Sequence, residues 1–335
     1  MRAWRVGELG EPAAVMRLGD VDEPRPGPRQ LVVKVLAAPA NFPDALMCRG
    51  LYQVRPELPF TPGVELCGEV VELGAELADG AGRFAVGDRV LGAAVLPYGG
   101  FAELALMDVA TTFPAPASLD DAEAAALYIG YQTGWFGLHR RAALRSGETL
   151  LVHAAAGGVG SAAVQLGKAA GATVIGVVGG PQKAEVARAL GADVVVDRHA
   201  VGAAGDWVAV VKEHTGGRGA DVIYDPVGGE TYQRSTKCVA FEGRILVVGF
   251  AGGEIQSAAL NHALVKNYSI LGLHWGLYNA MDPAAVAECH RALTEAADQG
   301  LVRPLVSERL PLEEAADAVQ RLADGATVGR VVVTP

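Results

Sequence analysis

The sequence predicts a two-domain α/β protein: a β-rich domain followed by a doubly wound parallel sheet. Three observations carry this. The chain has 335 residues, more than one domain usually holds. Its text changes rhythm near Asp120, from short runs broken by Pro and Gly to a regular alternation of strand and helix. The strand runs after Thr149 are continuous and apolar, as strands buried on both faces of a parallel sheet should be.

Element by element, "MRAWRVGELGEP" begins with a strand. "QLVVKVLAA", "CGEVVELG", "GDRVLGAAV" and "FAELALM" are further β-type runs, separated by turn clusters such as "PRPGPR" and "ADGAGR". Together they predict an irregular barrel. "DDAEAAAL" reads as a helix start, with acids in its first turn. The strands "TLLVHAA", "ATVIGVV", "DVVVD", "DVIYDPV", "GRILVVGF" and "SILGLHW" then alternate with helices, including "QKAEVARALG", "DWVAVVKEHTG" and "ETYQRSTKCVA". Such alternation implies right-handed crossovers. The amphipathic helices "DPAAVAECHRALTEAADQG" and "PLEEAADAVQRLADG", with a closing strand "GRVVVT", are expected to return to the first domain. The expected division is 1–120 for the β-rich domain and 121–268 for the parallel sheet. Residues 269–335 would carry the last strand of that sheet and the return.

Composition narrows the function. Half of the residues are hydrophobic, enough for a large core, and the formal charge is -10. An acidic surface repels nucleic-acid phosphates and anionic lipid, so neither is an expected partner. No apolar run reaches the roughly 18 residues of a spanning helix. The opening residues lack the basic-then-apolar plan of a signal peptide. Cys48, Cys67, Cys238 and Cys289 are far apart and form no CxxC pair. They read as ordinary thiols of a reducing compartment, so a cytoplasmic location is expected.

The informative stretch is "LLVHAAAGGVGSAAVQLGKAAGATVIGVV", Leu150 to Val178. A G-x-G-x-x-G match is weak alone, but here it follows a strand and opens a helix. The pattern is Ala155-x-Gly157-x-x-Gly160, with alanine first. Gly157 would let a pyrophosphate approach the backbone, and Gly160 would let the helix pack against the sheet. Ala156, Gly157, Gly158 and Val159 are the residues expected against the phosphates, at a helix N-terminus with free N–H groups. The alternative is a tight turn with no ligand.

The end of the second strand selects the dinucleotide. An NAD site usually carries Asp or Glu there, on the ribose 2′-OH. Here "VIGVVGGPQK" has no acid, and Lys183 follows Gly179 and Gly180. NADP(H) is expected, with Gly179 and Lys183 near the 2′-phosphate. Lys183 as a merely solvated helix lysine is the alternative.

Three stretches also carry a family resemblance: "HAAAGGVGSAAVQLGKAAGA", "NFPDALMCRGLYQ" with "PFTPGVELCGEVVELG", and "DVIYDPVGGE" followed by "GRILVVGF". Over nearly its whole length the chain resembles the zinc-independent, zeta-crystallin-like quinone oxidoreductases of the medium-chain dehydrogenase/reductase superfamily. The resemblance implies a GroES-like catalytic domain with a Rossmann domain inserted, an active site in the cleft between them, and NADPH as cofactor. It implies Asn41 and Thr133 beside the nicotinamide ribose and carboxamide, and Tyr52 toward the substrate. Tyr131 and Gln132 of "GYQTGW" would line the cofactor cleft, and Gly249 and Phe250 would lie by the nicotinamide half. Where zinc-dependent relatives place Cys and His ligands, this chain has Asn41 and Val64. Glu65 alone cannot make a site that needs about three protein ligands, so no metal is expected. "NFPD" can also be read as a plain turn. Asp197 in "VVVDR" departs from relatives with a Tyr at the 2′-phosphate, and Arg198 or His199 would have to compensate.

The resemblance thus implies an NADPH:quinone oxidoreductase acting on a small molecule. A reductase of α,β-unsaturated ketones or acyl thioesters, or a non-catalytic NADPH-binding crystallin-like protein, are the alternatives. A homodimer is expected through the edge strand in "YSILGLHW".

Overall fold

The computed structural model describes residues 1–77, 83–200 and 205–335. The turn cluster read over 78–83 lies outside them except for Arg83. Two compact units emerge. One is Met1–Ile129 together with Pro304–Pro335, and the other is Gly130–Arg303. The helix over 283–298 therefore falls in the second unit, and only the chain from Pro304 returns to the first.

In chain order the first unit opens with strands β1 (Arg2–Val6), β2 (Met16–Asp20), β3 (Gln30–Pro39), β4 (Glu65–Leu73), β5 (Arg89–Ala94) and β6 (Leu104–Pro114). Its helices are α1 (Pro12–Val15) and α2 (Phe42–Cys48), with α3 (Asp121–Trp135) at the junction. The second unit has strands β7 (Thr149–His153), β8 (Thr173–Val178), β9 (Val194–Asp197), β10 (Ala220–Asp225), β11 (Val239–Val247) and β12 (Ser269–Gly272). Its helices are α4 (Gly158–Ala169), α5 (Pro181–Ala189), α6 (Trp207–His214), α7 (Glu230–Ser235), α8 (Leu260–Lys266), α9 (Tyr278–Met281) and α10 (Pro283–Asp298). The returning segment supplies β13 (Val306–Pro311), α11 (Ala315–Ala323) and β14 (Arg330–Thr334).

In the first unit β6 pairs with both β5 and β3, so β3–β4–β5–β6 closes on itself like a barrel. The returning β14 adds antiparallel to β3 and carries β13 beyond it. Alternate residues Leu31, Val33 and Val35 of β3 join Leu66, Val70, Phe101, Met107, Val331 and Val333 in one core. Each such buried side chain contributes roughly 1.5–3 kcal/mol. β13 escapes the sequence reading because "VSERLP" alternates weakly and ends in Pro; its residues alternate between intermediate and exposed.

The second unit is a six-stranded parallel sheet in the order β12-β11-β10-β7-β8-β9. All five residues of β7 are buried, as its continuous apolar text requires. Strand order reverses between β7 and β10, and such a reversal opens a crevice at the carboxyl ends of the strands.

Candidate active site

The β7–α4 turn is built mostly from small residues, and at Gly160 nothing larger fits. A Cβ on Gly160 would run into the Ala154 carbonyl, so the helix start lies directly on the turn. Ala154 itself is held at φ +49°. Gly157 is the N-cap of α4 and has no side chain to cap it, while its carbonyl takes the Ser161 N–H at 2.8 Å. A helix leaves the N–H groups of its first turn without internal acceptors. Gly158, Val159 and Gly160 therefore present donors and the positive end of the helix dipole, which suits a phosphate. Ala156 is buried behind them.

The next loop gathers cations. Gly180 has φ +103°, which favours glycine, and its N–H donates to Asp197 Oδ1 at 2.7 Å. The same oxygen accepts the His199 N–H at 3.0 Å. These backbone donors hold the Asp197 carboxyl below the usual range. Asp197 faces Val178 in the β8–β9 register, and the Arg198 N–H donates to the Val178 carbonyl at 2.9 Å. The Arg198 and His199 side chains consequently lie over Gly179. A Cβ on that glycine would sit 2.9 Å from His199 Cε1 and 3.2 Å from Arg198 Nε. Lys183, in the first turn of α5, has its pKa lowered by burial and then by the charge of Arg198. Arg198 and His199 are thus brought to Gly179, and Lys183 feels the Arg198 charge. The Asp197 carboxylate, which the sequence suggests as an obstacle to phosphate, is a brace between two loops.

Further along the same edge, buried Asp225 ends β10, and Oδ1 accepts the N–H groups of Val227 and Gly228 at 2.9 and 3.0 Å. Burial raises its pKa and these bonds oppose that. The Ala251 N–H donates to the Pro226 carbonyl, tying the segment of Gly249 and Phe250 to this turn. The turn residues 156–159, Gly179 with its cations, and Gly249 with Phe250 all follow the carboxyl ends of parallel strands. Tyr131, Gln132 and Thr133 are buried on α3; the Gln132 carbonyl accepts the Trp275 indole N–H at 3.3 Å, and its Nε2 has no partner among the described residues.

In the first unit the residues around Asn41 form a buried polar network. "NFPD" is a helix start, not a plain turn: Asn41 caps α2, and its N–H donates to Asp44 Oδ2 at 2.9 Å. Asp44 Oδ1 accepts from Gly63 and Val64 at 2.8 and 3.2 Å. Burial pushes the Asp44 carboxyl up to about 7 against these three donors, with the Glu65 charge adding to the rise. Asn41 Nδ2 donates to the Pro39 carbonyl at 3.1 Å and to Glu65 Oε1 at 3.0 Å. Its Oδ1 accepts from Arg330 Nη2 at 2.9 Å. The same guanidinium nitrogen bonds Glu65 Oε1, and Glu65 Oε2 accepts the Ile129 N–H at 2.7 Å. Burial raises the Glu65 pKa, and Arg330, Ile129 and Asn41 pull it back. Both amide hydrogens of Asn41 are therefore engaged.

Tyr52 is half-buried against the core, and its phenol is raised by burial and by the Asp44 charge. Arg330 escapes sequence reasoning. Its one signal is a charge heading the apolar run "GRVVVT". Among the described residues no three His, Cys, Asp or Glu side chains are gathered as a metal would need.

Comparison with known proteins agrees with this architecture. Residues 27–117 match the alcohol dehydrogenase GroES-like domain, and residues 158–291 match the family described as zinc-binding dehydrogenase. The chain is 37% identical to the quinone oxidoreductase-like protein 2 homolog of Nematostella vectensis, over 99% of this chain and 88% of that protein. It is 30% identical to human quinone oxidoreductase, over 99% and 97%. The Escherichia coli quinone oxidoreductase solved with NADPH superposes with a TM-score of 0.89 at 28% identity, covering 100% of both chains. A GroES-like domain, an inserted Rossmann sheet and full-length likeness to these enzymes place the chain in the quinone oxidoreductase family of the medium-chain dehydrogenase/reductase superfamily.

Proposed function

We propose that this oxidoreductase is an NADPH-dependent, zinc-independent reductase of quinones or related conjugated carbonyls. The observation that carries the reading is the placement of Arg198 and His199 against Gly179, with Lys183 within reach of the Arg198 charge and Asp197 turned to two backbone N–H groups. A 2′-phosphate dianion suits such a site and a bare ribose does not use it. The donors of Gly158, Val159 and Gly160 suit the pyrophosphate. NADPH-bound relatives in the family support the same assignment.

When bound, NADPH supplies a hydride, and the protein's own work is placement and charge. The α4 N-terminus and the cation cluster hold the phosphates. Gly249 and Phe250, fixed through Pro226 and Asp225, wall the same sheet edge. Tyr52, its phenol raised and so protonated at neutral pH, can hold a proton for the acceptor oxygen. Asn41 acts as a positioning residue, since its amide ties the α2 start to Glu65 and Arg330. Zinc independence is supported by that same ion pair: the Glu65 carboxylate is engaged by Arg330, Asn41 and Ile129.

The test is an NADPH-oxidation screen over quinones, enones and enoyl thioesters, with metal analysis of the active protein. Turnover of quinones without stoichiometric zinc supports the proposal. Turnover of thioesters alone moves the substrate to the enoyl class, and binding without turnover leaves the crystallin-like role. A cytoplasmic location is consistent with four free, buried cysteines. A homodimer is supported by β12, which ends the sheet, and by exposed Leu260, Leu264 and Val265 on the preceding helix. Light scattering at micromolar concentration decides that point.

A further inference from the structure

The opposite end of the parallel sheet holds a second concentration of positive charge. There Lys212 of α6, Arg218 in the loop entering β10, Lys237 before β11 and Lys266 at the end of α8 surround one cavity of about 250 Å³. Gly217 and Gly219 form part of its floor, and Phe241, 72% exposed, stands beside it. No carboxylate lines the cavity among the described residues. Four cations gather here in a chain of formal charge -10, so the local field runs against that of the whole protein.

Two of these charges are committed. Arg218 pairs with Asp221 at 3.3 Å, and Lys266 Nζ donates to the Thr236 carbonyl at 2.8 Å. Lys212 and Lys237 have no acidic partner among the described residues, and both are exposed. Such a pocket attracts a compact anion with several acceptor oxygens, because each ammonium can give a charge-assisted bond. Its volume is below the roughly 300–1,000 Å³ of ordinary drug-sized ligand sites, so a whole dinucleotide does not fit. The loops after the strands, where the glycine turn lies, are at the other edge of the sheet.

We infer that this cavity is a second anion site, distinct from the cofactor site, that takes the phosphate group of inorganic phosphate or of a small phosphate monoester. Phe241 offers a flat apolar face to the organic part of an ester. The inference stands independently of the proposed cofactor and reaction.

Calorimetric titration with inorganic phosphate and with phenyl phosphate at low ionic strength tests it. Four proteins are compared: wild type, Lys212→Ala/Lys237→Ala, Lys183→Ala/Arg198→Ala and Phe241→Ala. Among the described residues neither Lys212 nor Lys237 makes a side-chain hydrogen bond, so that variant is expected to keep its fold. Saturable binding that survives Lys183→Ala/Arg198→Ala and falls at least tenfold in Lys212→Ala/Lys237→Ala is expected. Phenyl phosphate binding more tightly than phosphate, with Phe241→Ala removing the difference, identifies an ester as the ligand class. Equal affinities identify free phosphate. No binding at millimolar concentration, or binding unchanged in Lys212→Ala/Lys237→Ala, overturns the inference.

Discussion

Cofactor choice can be tested by removing the cations around Gly179 one at a time. Each well-ordered charge-assisted contact to phosphate contributes about 1.5–3 kcal/mol, and about 1.4 kcal/mol is a factor of ten in affinity. Lys183 sits at the lower end of this range for two reasons. It is partly solvent-exposed, and its pKa is depressed by burial and by Arg198, so removing it also relieves a repulsion. Lys183→Ala should weaken NADPH about tenfold, Arg198→Ala at least as much, and the pair roughly a hundredfold if the contacts are independent. NADH should be unchanged throughout. Discrimination should also fade on the alkaline side earlier than for an ordinary lysine, because the lowered pKa releases the Lys183 proton sooner. Fluorescence titration of both cofactors, at low and high salt and across pH 7–10, reads all of this. Wild type preferring NADH, or both cofactors weakening equally in Lys183→Ala, would refute the reasoning while leaving the fold untouched.

Other expectations follow from the same geometry. Glu65→Gln leaves the buried Arg330 guanidinium without its counter-charge and should cost about 3–5 kcal/mol, a melting drop of roughly 10 °C, with Arg330→Met in the same chain recovering part of it. Gly160→Ala drives a Cβ into the Ala154 carbonyl; overpacking of that kind costs about 1–3 kcal/mol, and NADPH affinity should fall with it. Buried His153 donates from Nε2 to Ser235 Oγ, whose own proton goes to the Thr231 carbonyl, and burial lowers its pKa to about 3. A histidine neutral when folded and near 6.5 when unfolded lends stability above pH 6.5 that is lost on acidification, by about 1.4 kcal/mol per pH unit. Denaturant titrations between pH 7 and 5 should show this slope in wild type and a flatter one in His153→Gln. Asp197→Ala should lower the melting temperature by freeing the Gly180 and His199 N–H groups, and a variant as stable as wild type would show that the brace is idle.

The parallel sheet was legible because burial on both faces leaves a mark on every residue of a strand. "TLLVH" and "TVIGVV" contain almost nothing polar, and the Gly-rich turn between them has no other use for so many small residues. The helix start at Asn41 went unread, because turn residues and a cap look alike in so short a stretch. Its Asp at the third helical position signals a cap, but the Glu65 and Arg330 partners lie 24 and 289 residues away, and no local pattern encodes such pairing. The bracing role of Asp197 was illegible for a related reason. A carboxylate at a strand end looks alike in sequence whether it faces a ligand or a neighbouring loop, and only the β8–β9 register turns it toward Gly180. The boundary near residue 303 was hidden because α10 is amphipathic and would cover either unit equally well.

The place of β14 beside β3 has a consequence for how the chain is made. Residues 1–129 leave the ribosome with Ala38 and Pro39 at the end of β3 unpaired, and with Glu65 and Asn41 lacking the guanidinium that Arg330 brings. The whole of Gly130–Arg303 must be synthesised before that strand appears. At about 5–20 residues per second this is a delay of roughly ten to forty seconds. The parallel sheet, whose strands all lie within one continuous stretch, can mature during that interval. The β3–β6 closure can form in that interval too, but the end of β3 at Ala38 and Pro39 waits for β14, a short strand edge that a chaperone or another nascent chain can find. The order of completion therefore runs against the order of synthesis: the unit that starts first is the one that finishes last.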